Sequence, residues 1–374
     1  MNGSRAQAGL RDLNRWTLAR QLLLERAELD PVAAIERLGA LQAQWPRSPY
    51  VALWSRLRDF QAGDLETALL EGRVVKSTLM RVTLHLVSAR DFHLFRSAVD
   101  TAGQSGWGSA LVDAGDRLGA TRAELVARAS ERPLSRTEAL RIIEALVPGV
   151  EDLQRRRLWY LLKAAHLVND PRRALFRSGP ASDHVLAPVL PDVSREEAVT
   201  HLVRSHLAAF GPASRADTAD WSGQTVGSLL PGYAALAGEL VEFAGPNGEN
   251  LFDLRDAPRP PADVAAPMRF LAKWDSLLLG HKRRTRVISD DHRKVVIGKN
   301  GDVTESFLVD GFVAGTWSAS HNRGVATLTL TPFGAIAKPT AAALEEEGER
   351  LLGFLAPEAK AVSIEGLRSQ AGHN

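Results

Sequence analysis

The sequence predicts an α+β fold, mostly α-helical, in which three tandem winged helix-turn-helix modules form a curved, C-shaped scaffold ahead of a β-rich C-terminal region. Three observations predict it. A pattern of several helices followed by two short strands occurs three times in 374 residues. A proline-broken connector, APRPP at 257–261, follows the third occurrence, because consecutive prolines cannot continue a helix. Beyond it, β-branched and aromatic residues dominate. The expected divisions are 1–100, 101–190 and 191–256 for the modules and 257–374 for the connector and C-terminal region.

In the first module, apolar residues recur at helical spacing from Leu10 to Ala27, and Asp30-Pro31 opens a second helix through VAAIERLGALQAQ. Helical patterns follow at Tyr50–Leu57 and Glu66–Leu70, and VVKSTLM and VTLHLVS read as two paired strands. In the second, helices are expected at Arg122–Arg128, Ser135–Leu146 and Leu153–Leu167, with VNDPRRALFR supplying a wing with a basic tip. The third is the best formed: EEAVTHLVRSHLAAFG, SRADTADWSG and QTVGSLLPGYAAL precede strands LVEFA and LFDLR, Ser214 stands where an N-cap belongs, and Asn247-Gly248 is a hairpin-turn pair. After the connector, VVIG, SFLVDGFVAGTW and ATLTLTPFG read as β-structure, with turns at 299–301 and 320–324, and Thr340–Leu355 as a closing helix.

No stretch reaches the apolar length of a membrane span, and the first fifteen residues lack the apolar core of a signal peptide, so a cytosolic protein is expected. The absence of cysteine excludes disulfides, cysteine-held iron–sulfur clusters, thiol nucleophiles and cysteine-based zinc sites. The scattered histidines suggest no metal site, and no cofactor is expected. Net charge is only +2, yet arginines cluster in RRR at 155–157 and HKRRTR at 281–286. A guanidinium fork suits phosphate, although a GC-rich genome also favours arginine.

The run LQAQWPRSPY at 41–50 carries the candidate chemistry. On a regular helix, residues two apart lie about 200° apart around the axis, so Gln42 and Gln44 would not share a face. Pro46 biases Trp45 out of the helical region, so the helix is expected to end near Gln44, where the two amides can converge. Taken alone, the pair reads more readily as two solvated glutamines at a helix terminus. Trp45 is a candidate stacking residue, but its size assigns it more readily to the core. Asp275 suits a buried ion pair or a cap, and His85 a hydrogen-bonded core position; neither is assigned chemistry.

The QxQ pair, the segment AFGPASRADTADWSG at 209–223, the run FLAKWDSLLLGHKRRTRVI at 270–288 and VDGFVAGTW at 309–317 together resemble the AlkZ family of DNA glycosylases, over nearly the whole chain. The resemblance implies three winged-helix modules around a basic concave surface that accepts duplex DNA, and hydrolysis of N-glycosidic bonds. It further implies that Gln42 and Gln44 are essential, that a β-hairpin enters the DNA cleft, and, since the related AlkX branch has aspartate at the second position, membership of the QxQ branch. That branch is associated with self-resistance to DNA-alkylating natural products and with crosslink repair. The expected partner is duplex DNA containing alkylated purines, bound by a monomer.

A neutral amide is not a general base near neutral pH, so the substrate must supply the reactivity. A purine alkylated at N7 or N3 is a cationic leaving group, and amide carbonyls suffice to hold water and stabilise charge at the sugar. For the DNA-contacting hairpin, His321, Asn322 and Arg323 at the 320–324 turn are preferred, with the KNG turn at 299–301 competing. Lys282, Arg283, Arg284 and Arg286 are expected to contact phosphates. The competing functions are a winged-helix transcriptional regulator and a protein that sequesters the alkylating drug.

Overall fold

The computed structural model describes residues 6–99, 108–179, 183–188 and 193–367. A short strand β1 (Ala6–Gln7) and helix α1 (Leu10–Arg20) lead into a helix, strand, helix, helix, hairpin arrangement: α2 (Pro31–Arg37), β2 (Leu41–Gln42), α3 (Ser48–Trp54), α4 (Ala62–Leu70), β3 (Val74–Thr78) and β4 (Leu84–Ser88). The strands form a sheet in the order β2-β4-β3. Helices α5 (Ala89–Ala98) and α6 (Ser109–Ala114) precede a second such unit: α7 (Leu118–Glu131), β5 (Leu134–Ser135), α8 (Arg136–Leu146), α9 (Asp152–His166), β6 (Leu167–Asn169) and β7 (Asp183–Leu186), with sheet order β5-β7-β6.

The third unit contains α10 (Arg195–Phe210), α11 (Arg215–Ser222), α12 (Val226–Ala235), β8 (Leu240–Ala244) and β9 (Asn250–Leu254). Its first strand is reduced to a bridge between Ala213 and Phe252. Ser214 caps α11 as expected, accepting from the Asp217 amide, and the turn between β8 and β9 uses Gly248 at φ 77°. In the wing of the second unit the basic tip is neutralised locally, because Arg172 pairs with Asp170 and Arg173 with Asp183.

The C-terminal region is a five-stranded sheet, β10 (Arg269–Leu271), β11 (Ser306–Val309), β12 (Phe312–Asn322), β13 (Val325–Pro332) and β14 (Ala361–Glu365), in that order across the sheet. Helices α13 (Asp290–Val296) and α14 (Lys338–Leu355) accompany it. VVIG, expected as a strand, instead closes α13: Ser289 accepts from the His292 amide, and two aspartates in the first turn favour the helix. Between β12 and β13, Arg323 and Gly324 both have positive φ, the two-residue turn that matches strand twist. Among the described residues no helix is long and apolar enough to cross a membrane.

The cores do not respect the chain's repeats. Leu41, Leu53, Leu65 and Leu86 of the first unit share one core with Phe270, Phe307 and Trp317 of the C-terminal sheet and Leu351 of α14. The third unit packs with α5 in another, whereas Leu125, Ile143, Leu158 and Trp159 give the second unit a core of its own. Two buried bidentate ion pairs fasten distant segments: Arg20 to Asp253, at 2.6 and 2.8 Å, and Arg56 to Asp275, at 2.7 and 2.9 Å. Asp275 Oδ1 also accepts from the Leu277 amide, so it is both ion-pair partner and cap.

Where β3 meets the second unit, two amines are buried. Desolvation pulls Lys76 down to about 8 and Lys163 down to about 7, with the Arg136 guanidinium adding to the effect at Lys163. His184, buried beside Lys163, is held neutral, at about 3, chiefly by desolvation. Lys163 is a weaker base in the folded chain than in the unfolded one, so between pH of about 7 and 10.5 the unfolded chain binds more protons and stability rises with pH. Lys163→Met is therefore expected to raise the thermal midpoint by several degrees at pH 6.5 and by much less at pH 9.5, as scanning fluorimetry will read. An advantage independent of pH would rule out the amine as its cause.

Candidate active site

The helix α2 begins as expected: Asp30 Oδ1 accepts from Val32 N at 2.7 Å and Ala33 N at 3.2 Å, with Pro31 in the first turn. It does not continue to Gln44. It stops at Arg37 because Gly39 takes φ 72°, where a side chain would also crowd Ala209 and Ser205 of α10, and Ala40 takes φ 110°. The chain is turned into β2, where Leu41 pairs with Leu86 and Gln42 with His85; the ladder runs on through Ala43 N to Leu84 O at 2.7 Å. The strand ends at Gln42, and Gln44 lies two residues on, in the bend that leads to Pro46.

The two amides are fixed differently. Gln42 is buried, and its Oε1 accepts from Arg81 Nη2 at 3.0 Å. Gln44 is exposed, and its Oε1 accepts from Leu84 N at 2.9 Å, extending the ladder with a side chain. Each carbonyl oxygen retains a second lone pair. Arg81 also donates to the Trp221 carbonyl, tying the first unit to α11. It sits with Val82 in the turn between β3 and β4, both at left-handed φ, 53° and 56°, a strained conformation for non-glycine residues. Burial lowers Arg81 to about 10, so it stays charged; Asp220 opposes the shift and Arg284 adds to it.

His85, in register with Gln42, is buried, and its Nδ1 lies 3.0 Å from the Thr83 carbonyl. Since that carbonyl only accepts, Nδ1 carries the proton and the ring is neutral; desolvation and the Arg81 charge hold it at about 3. Trp45, expected in the core, stands 49 % exposed. Tyr50 and Trp54 of the following helix fill the core in its place, and the Pro46 turn directs the indole outward.

The basic run is split. Lys282 and Arg283 are exposed beside α11, where Lys282 N donates to Asp217 Oδ1 at 2.9 Å. Arg284 is half-buried, donates to Leu278 O at 2.6 Å and lies 3.9 Å from Asp220. Arg286, expected at the surface with them, is buried: its Nη1 donates to Pro212 O at 2.9 Å, so it braces the interior and offers nothing to a phosphate. Among the described residues no group of three or more histidines and carboxylates is arranged to hold a metal.

The family model described as DNA glycosylase AlkZ-like matches residues 35–354, which include β2, its glutamines and the C-terminal sheet. The chain belongs to the AlkZ-like DNA glycosylase family. Among solved structures it is similar to the Streptomyces sahachiroi DNA glycosylase AlkZ, with a TM-score of 0.75 and 20 % identity over 96 % of this chain and 100 % of that one, a likeness of fold. No curated protein matches the sequence.

Within this AlkZ-like fold the two candidate turns lie in different places. His321, Asn322 and Arg323 are exposed at the tip of β12 and β13, with His321 Nδ1 3.5 Å from Glu358, which also pairs with Arg177. The KNG turn instead sits against the residues that follow β10: Trp274 Nε1 donates to Gly301 O at 3.1 Å, Lys273 pairs with Asp302 at 3.2 Å, and the Lys273 ammonium lies 6.0 Å from the Trp45 ring. Sequence reasoning missed Arg81 and Lys273. The signal for Arg81 was present: it is the one polar residue of LMRV, the tip of a hairpin correctly expected from its flanking strands.

Proposed function

We propose that this protein is a monofunctional DNA glycosylase that hydrolyses the N-glycosidic bond of cationic purines alkylated at N7 or N3. Its proposed range includes bulky natural-product adducts and interstrand crosslinks. In this reading the three units, 1–100, 101–190 and 191–256, act as winged helix-turn-helix modules that hold duplex DNA, and a single chain suffices. The observation that carries the proposal is the pair of glutamine carbonyls two residues apart beside β4, Gln42 anchored by Arg81 and Gln44 by Leu84 N.

The free lone pairs of Gln42 and Gln44 accept hydrogen bonds from one water and orient its oxygen toward C1′ of the damaged nucleotide. As the C1′–N9 bond breaks, its electron pair neutralises the purinium ring, water adds to C1′, and the surplus proton passes to solvent. Because the leaving group is already activated, no group of high basicity is required, which fits a site whose one nearby histidine is locked neutral. The carbonyl dipoles also stabilise positive charge developing at the sugar. Lys282 and Arg283 serve as exposed phosphate contacts.

Purified protein incubated with a duplex carrying a single N7-methylguanine is expected to release the free base and leave an alkali-labile site without cutting the strand. Retarded but intact DNA would identify a regulator instead, and drug binding without need of DNA a sequestering protein.

A further inference from the structure

One residue beyond Gln44, the structure builds an arrangement that the hydrolytic scheme leaves unused. The exposed Trp45 indole faces the Lys273 ammonium at 6.0 Å, and the same ammonium lies 4.8 Å from the ring of Trp274. Trp274 is held in left-handed backbone, φ 54°, which an aromatic residue adopts only where its surroundings impose it. What imposes it is the KNG turn: Trp274 N donates to Val303 O and Nε1 to Gly301 O, both at 3.1 Å. The carboxylate of Asp302, at 3.2 Å, gives Lys273 a second place to rest its charge.

Two indole faces that share one ammonium form a surface that attracts cations through their ring quadrupoles. We propose that Trp45 and Trp274 are the specificity-determining residues that read the positive charge of the alkylated purine. Lys273, already paired with Asp302, lies against their faces when no DNA is bound and swings off the rings, keeping that carboxylate, when the purinium ring arrives. The inference rests on the glycosylase reading and deepens it. The charge delocalised over an alkylated purine, unlike an unmodified guanine, competes with an ammonium for the same rings, and the planar base stacks on Trp45 without needing a deep pocket.

The test separates charge from shape. Two duplexes are compared by fluorescence anisotropy, one with 2′-fluoroarabino N7-methylguanine, which is cationic and resists cleavage, the other with 7-methyl-7-deazaguanine, its neutral isostere. Wild-type protein is expected to favour the cationic duplex by about fivefold to thirtyfold, the range of a desolvated cation–π contact. Trp45→Leu, at an exposed position that folding does not depend on, is expected to reduce that preference to about twofold, with affinity for the neutral duplex nearly unchanged. Lys273→Gln, which removes the resident cation, is expected to increase the preference.

A preference that survives in both Trp45→Leu and Trp274→Leu overturns the inference. So does an equal loss of affinity for both duplexes in Lys273→Gln, which would make that residue a phosphate contact. If wild-type protein releases N7-methylguanine while either result is obtained, the glycosylase reading stands and only the charge-reading role falls.

Discussion

Gln42→Ala and Gln44→Ala are each expected to slow release of N7-methylguanine from duplex DNA by about two to three orders of magnitude, the usual effect of deleting one polar group preorganised around a transition state. Single-turnover measurement isolates the chemical step. Neither change should unfold the protein, since Gln44 is exposed and Gln42 lies at the end of a two-residue strand. The two losses need not add, because in the proposed mechanism both amides hold one water. Gln44→Glu preserves the hydrogen bond from Leu84 N and the acceptor toward water, so it is expected to retain much of the rate. Wild-type rates in both alanine variants would remove the glutamines from the mechanism.

The largest expected effect on stability is at Asp275. Its carboxylate neutralises Arg56, a guanidinium with no exposed side-chain surface, and holds it in bidentate geometry. Asp275→Ala leaves that charge buried without its partner, a loss of about 3–5 kcal/mol. For a chain of this size the thermal midpoint falls by roughly 5 °C. Glu28→Ala supplies the control: its ion pair with Arg58 is solvent-exposed on both sides, and its removal is expected to leave the midpoint almost where it was. A native-like midpoint in Asp275→Ala would show that Arg56 finds other acceptors. Two carbonyls already accept from it, those of Gln21 and Ala52, and they satisfy hydrogen bonds without supplying charge.

Much of the helical framework was legible in the sequence because its signals are local. Ser214 and Ser135 cap helices where their positions suggest, and Asn247-Gly248 turns a hairpin. Elements defined by distant partners were not legible. The strand β2 exists because Leu86 and His85, more than forty residues away, complete its ladder, so a proline-based argument ended the wrong element at Gln44. Nothing near Ala6 or Ala361 announces that β1 and β14 lie parallel to β8 and β13. The Gly39-Ala40 break was visible, but the continuing helical periodicity masked it.

The candidate site was half legible. The glutamines were singled out, but the element that carries them was misread: Gln42 ends a two-residue strand and Gln44 lies in the bend after it, not at a frayed helix end. In HKRRTR, four residues of like chemistry have different fates, because Arg286 points toward the Pro212 carbonyl while Lys282 and Arg283 face solvent. Composition cannot distinguish these directions. Trp45 was assigned to the interior on size alone, whereas its neighbours Tyr50 and Trp54 had already filled that space.

The separate core of the second unit gives the chain an uneven cooperativity. The first unit and the C-terminal sheet share one interior, to which the second unit lends Ala174 and Phe176, whereas Leu125, Ile143 and Trp159 lie in a core within the second unit, and hydrogen exchange is expected to show that part opening first. On the proposed reading, in which duplex DNA lies between the modules, such opening would leave in place the segment that carries Gln42 and Gln44.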